Sequence, residues 1–278
     1  MEGTFKMLLL PGNTPGWADP NSPDHVVLMN FPLLVFALSF VVLLLAAFIG
    51  DILRSRVHTL NDDERDDFNV VLNATLTLLG LLIGFSFSMA ISRYDQRKNY
   101  EEAEANAIGT EYSRADLLPP GDAAKVRQLL KKYVDERVTF YTTRDQGRLA
   151  KINADTAELQ NEMWAAIRPA AEANPTSPVV ALAVSGMNDV LNSQGYTQAA
   201  WWNRIPVAAW GMMAAIAISC NVLLGYGAHG RDWRTLLIVP VVVSIAFFLL
   251  ADIDSPRGGA IRLEPHNLLS LSDTLRAQ

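Results

Sequence analysis

Charged residues are missing from four long stretches of this 278-residue chain. The stretches are Val26–Gly50, Phe68–Ser92, Ile205–Ala228 and Thr235–Ala251. The first three are longer than the roughly 18 apolar residues that indicate a membrane-spanning helix, and the fourth still covers about 25 Å as a helix. A soluble core could hold one or two helices of this kind, but not four. The sequence therefore predicts an all-α membrane protein with four spans.

Cysteine and runs of basic residues are also scarce. Cys220 is the only cysteine, which excludes an internal disulfide. The formal net charge is −6 and no run of Lys or Arg is present, so we expect no nucleic-acid partner. The chain starts with MEGTFKMLLLPGN, whose apolar stretch is too short for the apolar region of a secretory signal peptide.

The motifs of common catalytic and metal sites are missing as well. The sequence has no H-E-x-x-H, paired-Cys or EF-hand spacing, no phosphate-binding loop and no G-x-S-x-G nucleophile elbow. No charged residue lies deep in any of the four spans, which disfavours an ion-coupled transporter. We therefore expect a protein that is not an enzyme and that holds no metal or cofactor.

The second span continues into a charged segment without a helix breaker. Phe68–Ser92 is followed by RYDQRKNYEEAEANAIGTEYSRADLL, and the next strong break is Pro119-Pro120-Gly121. This pattern predicts one helix of about fifty residues, half in lipid and half in water. Within the span, Gly80 and Gly84 form a G-x-x-x-G, which allows another helix to approach closely.

A polar segment with helical apolar spacing separates the second and third spans. It predicts a helical domain outside the bilayer, in which Ser177 caps a helix that begins at Pro178. Glutamates and basic residues alternate at its start and predict a solvated or salt-bridged helix surface. They are Glu101, Glu102, Glu104 and Glu111, with Arg93, Arg97, Lys98 and Arg114.

These patterns divide the chain into five segments. They are an N-terminal arm rich in Pro and Gly (1–25), the first two spans (26–92), the helical domain (93–204), the last two spans (205–252) and a C-terminal tail that packs on the helical domain (253–278). Lys and Arg near the span ends are slightly more frequent on the side of the helical domain. The positive-inside rule therefore places that domain and both termini in the cytoplasm.

Several short motifs resemble those of the bestrophin ion channels. In the second transmembrane helix of bestrophins, a Gly-Phe pair near the neck of the pore is followed by an Arg-aromatic step, and the helix continues into the cytosol. The matching segments here are Leu82-Ile83-Gly84-Phe85, Ser92-Arg93-Tyr94, Asn106-Ala107-Ile108-Gly109 and Ser113-Arg114. Asp252–Gly259, with the sequence DIDSPRGG, is similar to a signature of the bacterial bestrophin-like proteins.

The resemblance covers residues from about 30 to 275. It implies a bestrophin-like fold, in which four transmembrane helices carry a cytoplasmic helical bundle inserted between the second and third. It further implies a homopentamer in the bacterial inner membrane, with the second spans around one axial pore. Animal bestrophins carry a dense acidic cluster after the last span, whereas here only Asp252 and Asp254 precede Arg257. We therefore expect no calcium site at this position.

The resemblance also implies roles for residues of the second span. It places the neck at Thr77, Leu81 and Phe85, whose spacing puts them on one helix face. Ordinary packing against lipid or neighbouring helices is the alternative for the two apolar residues, and Thr77 departs from the apolar pattern of the family. Gly80 and Gly84 would contact the adjacent helix. Arg93 and Tyr94 would continue the pore into the cytoplasm.

Two functions therefore stay open. The first is passive conduction of inorganic ions through an oligomer in the lipid bilayer, with the sign of the ion undetermined. The acidic loop Asn61–Asp67 favours cations if it faces the pore entrance. The second is a membrane-anchored scaffold or sensor, in which the helical bundle binds a partner and the spans only assemble.

Overall fold

A computed structural model describes residues 30–56, 62–228 and 233–277. Within these ranges all regular elements are helical, as the sequence predicts. They are α1 (Pro32–Arg56), α2 (Asp62–Arg114), α3 (Pro120–Thr142), α4 (Gln146–Ala173), α5 (Pro178–Trp202), α6 (Val207–Gly227), α7 (Trp233–Asp254) and α8 (His266–Arg276), with a 3-10 turn at Ala115–Leu117. The predicted N-terminal arm (1–25) lies outside the described residues, as do 57–61 and 229–232.

Four helical segments are long and apolar enough to cross a membrane. They are Pro32–Arg56, Glu64–Leu117, Pro178–Gly227 and Leu236–Asp254, and the third includes α5 as well as α6. The apolar window of the second segment is only 11% buried within the chain. Most of its apolar surface therefore needs lipid or another chain to cover it.

Helix α2 is a single helix of 53 residues, which confirms the prediction of one long helix. At about 1.5 Å per residue it is about 80 Å long. The acidic residues in its first turns favour a helix that begins at this point, because carboxylates complement the positive end of the helix dipole. The 3-10 extension of the helix ends at Leu117, and Leu118 is extended because a residue before proline disfavours the helical conformation.

The chain divides into two compact units, and α2 contributes to both. Of the described residues, the first unit holds those up to Ile91 together with those from Arg204 to Ile261, and the second holds Ser92–Asn203 with those from Arg262 onwards. The segment that follows α7, up to Ile261, therefore belongs to the unit of the apolar helices.

In the first unit, α1 and α6 pack backbone to backbone. A Cβ atom built on Gly50 would meet the carbonyl oxygen of Val222, and one built on Gly225 would meet that of Ala47. Only glycine leaves room for this approach, the kind that small residues permit between membrane helices. Trp210 of α6 then packs edge-on against Phe247 of α7, with ring centroids 5.9 Å apart.

The second unit is a helical bundle with its own core. The C-terminal half of α2 packs with α3, α4, α5 and α8 around side chains that are almost wholly buried. The largest of these apolar side chains are Tyr133, Ile108, Leu130, Met163, Ile167, Met187 and Leu268. The predicted cap of α5 is confirmed, because the Ser177 hydroxyl accepts a hydrogen bond from the Val180 amide at 3.4 Å.

Candidate pore-lining face

Three predicted neck residues lie together on one exposed face of α2 in the first unit. The side chains of Leu81 and Phe85 are 51% and 60% exposed, and Thr77, one turn earlier, is exposed too. The Thr77 hydroxyl donates to the carbonyl of Asn73 at 2.8 Å, so its polar group is satisfied within the helix. This face therefore presents two large apolar side chains and one methyl-bearing side chain that needs no external partner.

The opposite face of α2 is buried in the same unit. Leu79, Ser86 and Ala90 are between 0% and 5% exposed. At about 100° per residue, Leu79 lies about 160° from Leu81, while Ser86 and Ala90 lie about 140° and 180° from it. The unit therefore fixes which side of α2 faces away from the chain, and the predicted neck residues lie on that side.

The two glycines of the G-x-x-x-G also have free space beside them. A Cβ atom built on Gly80 or Gly84 would have no atom within 4 Å. Gly80 lies about 100° from Leu81 and Gly84 about 60° from it. Among the described residues, no atom approaches the Cβ positions of these two glycines, so this side of α2 is open within the chain.

Arg93 and Tyr94 do not share the face of the neck residues. Helical geometry places them about 120° and 140° from Leu81, on two other sides of α2. Both are half-buried, and the Tyr94 hydroxyl donates to the carbonyl of Arg262 at 3.3 Å.

The predicted solvated or salt-bridged surface on the start of the helical domain is largely wrong. Glu101, Glu104 and Glu111 are at most 1% exposed, and of the four glutamates only Glu102 is exposed. They are buried because they lie on the inward side of α2, where other helices supply their surroundings. The Glu101 carboxylate accepts bonds from the Leu268 amide at 2.9 Å and the Asn267 side chain at 2.6 Å, so it caps the start of α8.

Glu104 lies at the centre of a buried polar network. Its carboxylate accepts from Arg137 Nε at 2.5 Å, from the Tyr141 hydroxyl at 3.2 Å and from the Thr197 hydroxyl at 3.1 Å. The salt bridge expected for this glutamate exists, but its partner is on α3 rather than on α2 itself. The network ties α2 to α3 and α5 and gives the second unit a fixed interior.

Glu111 is the unusual carboxylate of this unit. Neither of its side-chain oxygens has a hydrogen-bond partner among the described residues. Burial raises its pKa to about 8, against a lowering effect of Arg114 and with a smaller raising effect of Asp189. A Cβ atom built on Gly186 of α5 would meet its Oε2 atom. A carboxyl group with this pKa is mostly protonated at neutral pH.

The DIDSPRGG motif folds the chain back after α7. The two Asp252 oxygens accept from the amides of Ala260 and Ile261, each at 2.8 Å, and Asp254 accepts from the amide of Ile205 at 3.0 Å. Gly259 has a φ of 83°, which glycine adopts without strain. Both aspartate side chains thus accept hydrogen bonds from backbone amides. In the part of the chain that the structure describes, no group of three or more His, Cys, Asp or Glu is arranged to hold a metal.

Comparison with known proteins gives a family and a fold. A family model described as "Bestrophin-like domain" matches residues 37–268. No curated protein sequence matches the chain. The family match confirms the resemblance that the short motifs of α2 and the DIDSPRGG segment indicate.

Solved structures agree with the family match. A crystal structure of a bacterial bestrophin homologue from Klebsiella pneumoniae, obtained by zinc phasing, matches with a TM-score of 0.62 at 16% identity, and covers 88% of this chain and 97% of that chain. A single-substitution variant of the Klebsiella homologue matches with a TM-score of 0.63 at 15% identity, and covers 91% and 97%. At this identity the likeness shows the fold, which is all-helical with four membrane-spanning candidates.

Proposed function

The chain belongs to the bestrophin-like family of membrane proteins, and we propose that it is the subunit of a homopentameric ion channel. In this proposal α2 from each subunit lines one axial pore. Thr77, Leu81 and Phe85 form the neck, and inorganic ions pass without coupling to another substrate. The family match and the bestrophin fold support a channel. Passive conduction needs a lined pore but no catalytic motif, which agrees with a sequence that has none of the common ones.

One observation supports the neck more than any other. Leu81 and Phe85 are large and apolar, yet about half exposed, on the side of α2 that faces away from its own unit. Five copies around an axis would turn this face into two stacked apolar rings, one helical turn apart. Rings of this kind gate channels by excluding water from a narrow passage. Thr77 would begin the passage with a more polar ring.

The adjacent glycines support assembly by the same helix. Gly80 and Gly84 have open space around them and lie toward one side of the neck face. A neighbouring α2 could approach there closely, as small residues allow in membranes. We place the bilayer spans in the bacterial inner membrane with the helical domain and both termini in the cytoplasm, because Lys and Arg are slightly more frequent on that side.

Ion flux into liposomes tests this function. Purified protein is reconstituted, and the wild type is compared with Leu81→Ala/Phe85→Ala, in which a narrow apolar neck becomes wide. The matched control is Ile238→Ala/Val242→Ala, two α7 side chains with the same spacing and 57% and 58% exposure. We expect flux to rise in the neck variant and to stay at the wild-type level in the control.

The alternative function is a membrane-anchored scaffold or sensor. The observation in its favour is that the second unit has a complete core of its own, with an internal ion pair between Glu104 and Arg137. A unit of this kind could bind a partner without any pore. If wild type and neck variant both stay silent while the oligomer is intact, the channel proposal is contradicted and the scaffold function takes its place.

A further inference from the structure

Glu111 of α2 packs its carboxyl group against the backbone of α5. Its side chain is 0% exposed, and neither carboxyl oxygen reaches water or accepts a hydrogen bond from a described residue. Gly186 of α5 leaves the space that this group occupies, since a Cβ atom built there would meet its Oε2 atom. Ala183 and Met187, on either side of Gly186, are 0% exposed as well. The carboxyl group is therefore part of the packed contact between α2 and α5.

Ionisation of Glu111 does not fit this contact. A carboxylate without water or hydrogen-bond donors loses its hydration and gains nothing in return. Arg114, one turn further along α2, lies over the same glycine, with Nη1 2.5 Å from the Cβ position of Gly186. It lowers the pKa of Glu111, but no hydrogen bond joins the two groups, and the exposed Asp189 of α5 raises that pKa. An ionised Glu111 gains both water and the guanidinium only by leaving its place on the glycine.

Charged groups on the neighbouring elements engage other partners. Asp116 of the 3-10 turn pairs with Arg127 of α3, and Lys131 of α3 lies 5.7 Å from the centroid of an aromatic ring. On α4, Arg168 and Glu172 pair with each other at 3.3 Å and are both exposed. The protonated carboxyl group is thus the form that suits the closed contact.

We propose that Glu111 is a pH-sensitive latch between α2 and α5. In the closed state the protonated carboxyl group lies on Gly186, and the two helices pack together. At alkaline pH the group releases its proton to water, turns towards Arg114 and solvent, and loosens the contact. The latch needs only the second unit, so it does not depend on the assembly of a pore.

The latch joins two helices that lead into the membrane spans. Helix α2 is continuous through both units, and α5 is followed by α6 after residues 203–206. A change in the packing of α5 on α2 therefore acts on helices that continue into the bilayer. Under the proposed function, on which this step rests, the latch makes ion conduction respond to cytoplasmic pH.

Hydrogen–deuterium exchange of the full chain in detergent tests the latch at pH 6.5 and 8.5, after correction for the intrinsic chemical rate. A pKa of about 8 in the closed contact and of 4.5 once it is open predicts that the α5 segment Val180–Val190 loses protection by about twentyfold. The α3 segment Tyr133–Phe140 should keep its protection. Glu111→Gln cannot ionise and should keep α5 protected at both pH values. The matched control Glu102→Gln, an exposed carboxylate on the same helix, should respond like the wild type.

Three results would overturn the latch. They are a wild-type α5 that keeps its protection at pH 8.5, an equal loss of protection in α3 and α5, and a pH response that survives Glu111→Gln. Size-exclusion chromatography checks that the variants assemble. Glu111→Met, which is apolar and cannot ionise either, serves if Glu111→Gln does not assemble.

Ion flux into liposomes separates the latch from the channel. The flux of the wild type should change at least twofold between pH 6.5 and 8.5, whereas that of Glu111→Gln should stay constant. A latch that opens while both proteins show the same pH dependence of flux overturns its role in conduction and leaves the channel standing. No flux at either pH contradicts the channel and leaves the latch, because the exchange measurement needs no current.

Discussion

Arg137 Nε lies 2.5 Å from Glu104 Oε1, and both side chains are fully buried. This ion pair joins α2 to α3 inside the helical unit, and the hydroxyls of Tyr141 and Thr197 complete the surroundings of the carboxylate. The Arg137 guanidinium also stacks over the Phe140 ring, with 4.4 Å to its centroid. A buried pair with this many bonds to its carboxylate holds α2 in one rotation about its axis. That rotation decides which face of α2 points outward.

Arg137→Met should destabilise the protein by about 3–5 kcal/mol, because it leaves the Glu104 charge buried without its partner. Arg137→Met/Glu104→Gln should recover part of this loss, since no unpaired charge remains. The measurement is thermal unfolding of the purified oligomer in detergent. Arg168→Met, which breaks the exposed pair with Glu172, is the control and should have little effect. Equal losses from Arg137→Met and Arg168→Met would show that the buried pair has no special role.

Glu111 should make stability depend on pH. Its folded pKa of about 8 lies above its usual 4.5, because burial disfavours the charged form. Between pH 4.5 and pH 8, the folded state therefore keeps a proton that the unfolded chain has already released. The stability from this group is complete below about pH 4.5 and is lost as the pH rises through 8, with a slope of at most about 1.4 kcal/mol per pH unit.

Glu111→Gln removes the ionisation and nearly preserves the shape. The variant should match or exceed the wild type in melting temperature at pH 9 and should lose the pH-dependent slope between pH 5 and 9. The neighbouring charges, Arg114 on α2 and Asp189 on α5, are unchanged in this comparison. A wild type and a variant with the same pH profile would mean that Glu111 does not titrate in this window.

Gly50→Ala should weaken the packing of α1 on α6. The added methyl group would meet the backbone at Val222 and Tyr226, and backbone cannot move aside as a side-chain end can. We expect a loss of about 1–3 kcal/mol, as for other overpacked interiors. Gly211→Ala in α6, with open space around its Cβ position, is the control and should be neutral or slightly stabilising. Unfolding in detergent distinguishes the two, and a neutral Gly50→Ala would mean that α1 and α6 do not approach so closely.

The sequence predicts some parts of this structure well for local reasons. Helix α2 is predictable because no breaker occurs before Pro119-Pro120, and the Ser177 cap follows from two adjacent residues. The common face of Thr77, Leu81 and Phe85 follows from the helical period alone.

Other parts cannot be read locally. Glu104 and Glu101 look solvent-exposed in sequence because their partners are distant, with Arg137 on the next helix and Leu268 near the end of the chain. A charged side chain on a helix is usually exposed, and only the packing of the other helices buries it here.

The central claim is that α2 lines the pore, and cysteine accessibility under current recording tests it most directly. Cys220, which is fully buried, is first replaced in Cys220→Ala to remove the only native thiol. In that background, a charged water-soluble thiol reagent should reduce the current of Leu81→Cys and Phe85→Cys. It should leave Val242→Cys, an exposed α7 position, unchanged. Current that is insensitive to the reagent at both Leu81→Cys and Phe85→Cys, in channels that conduct normally, would contradict a pore lined by α2.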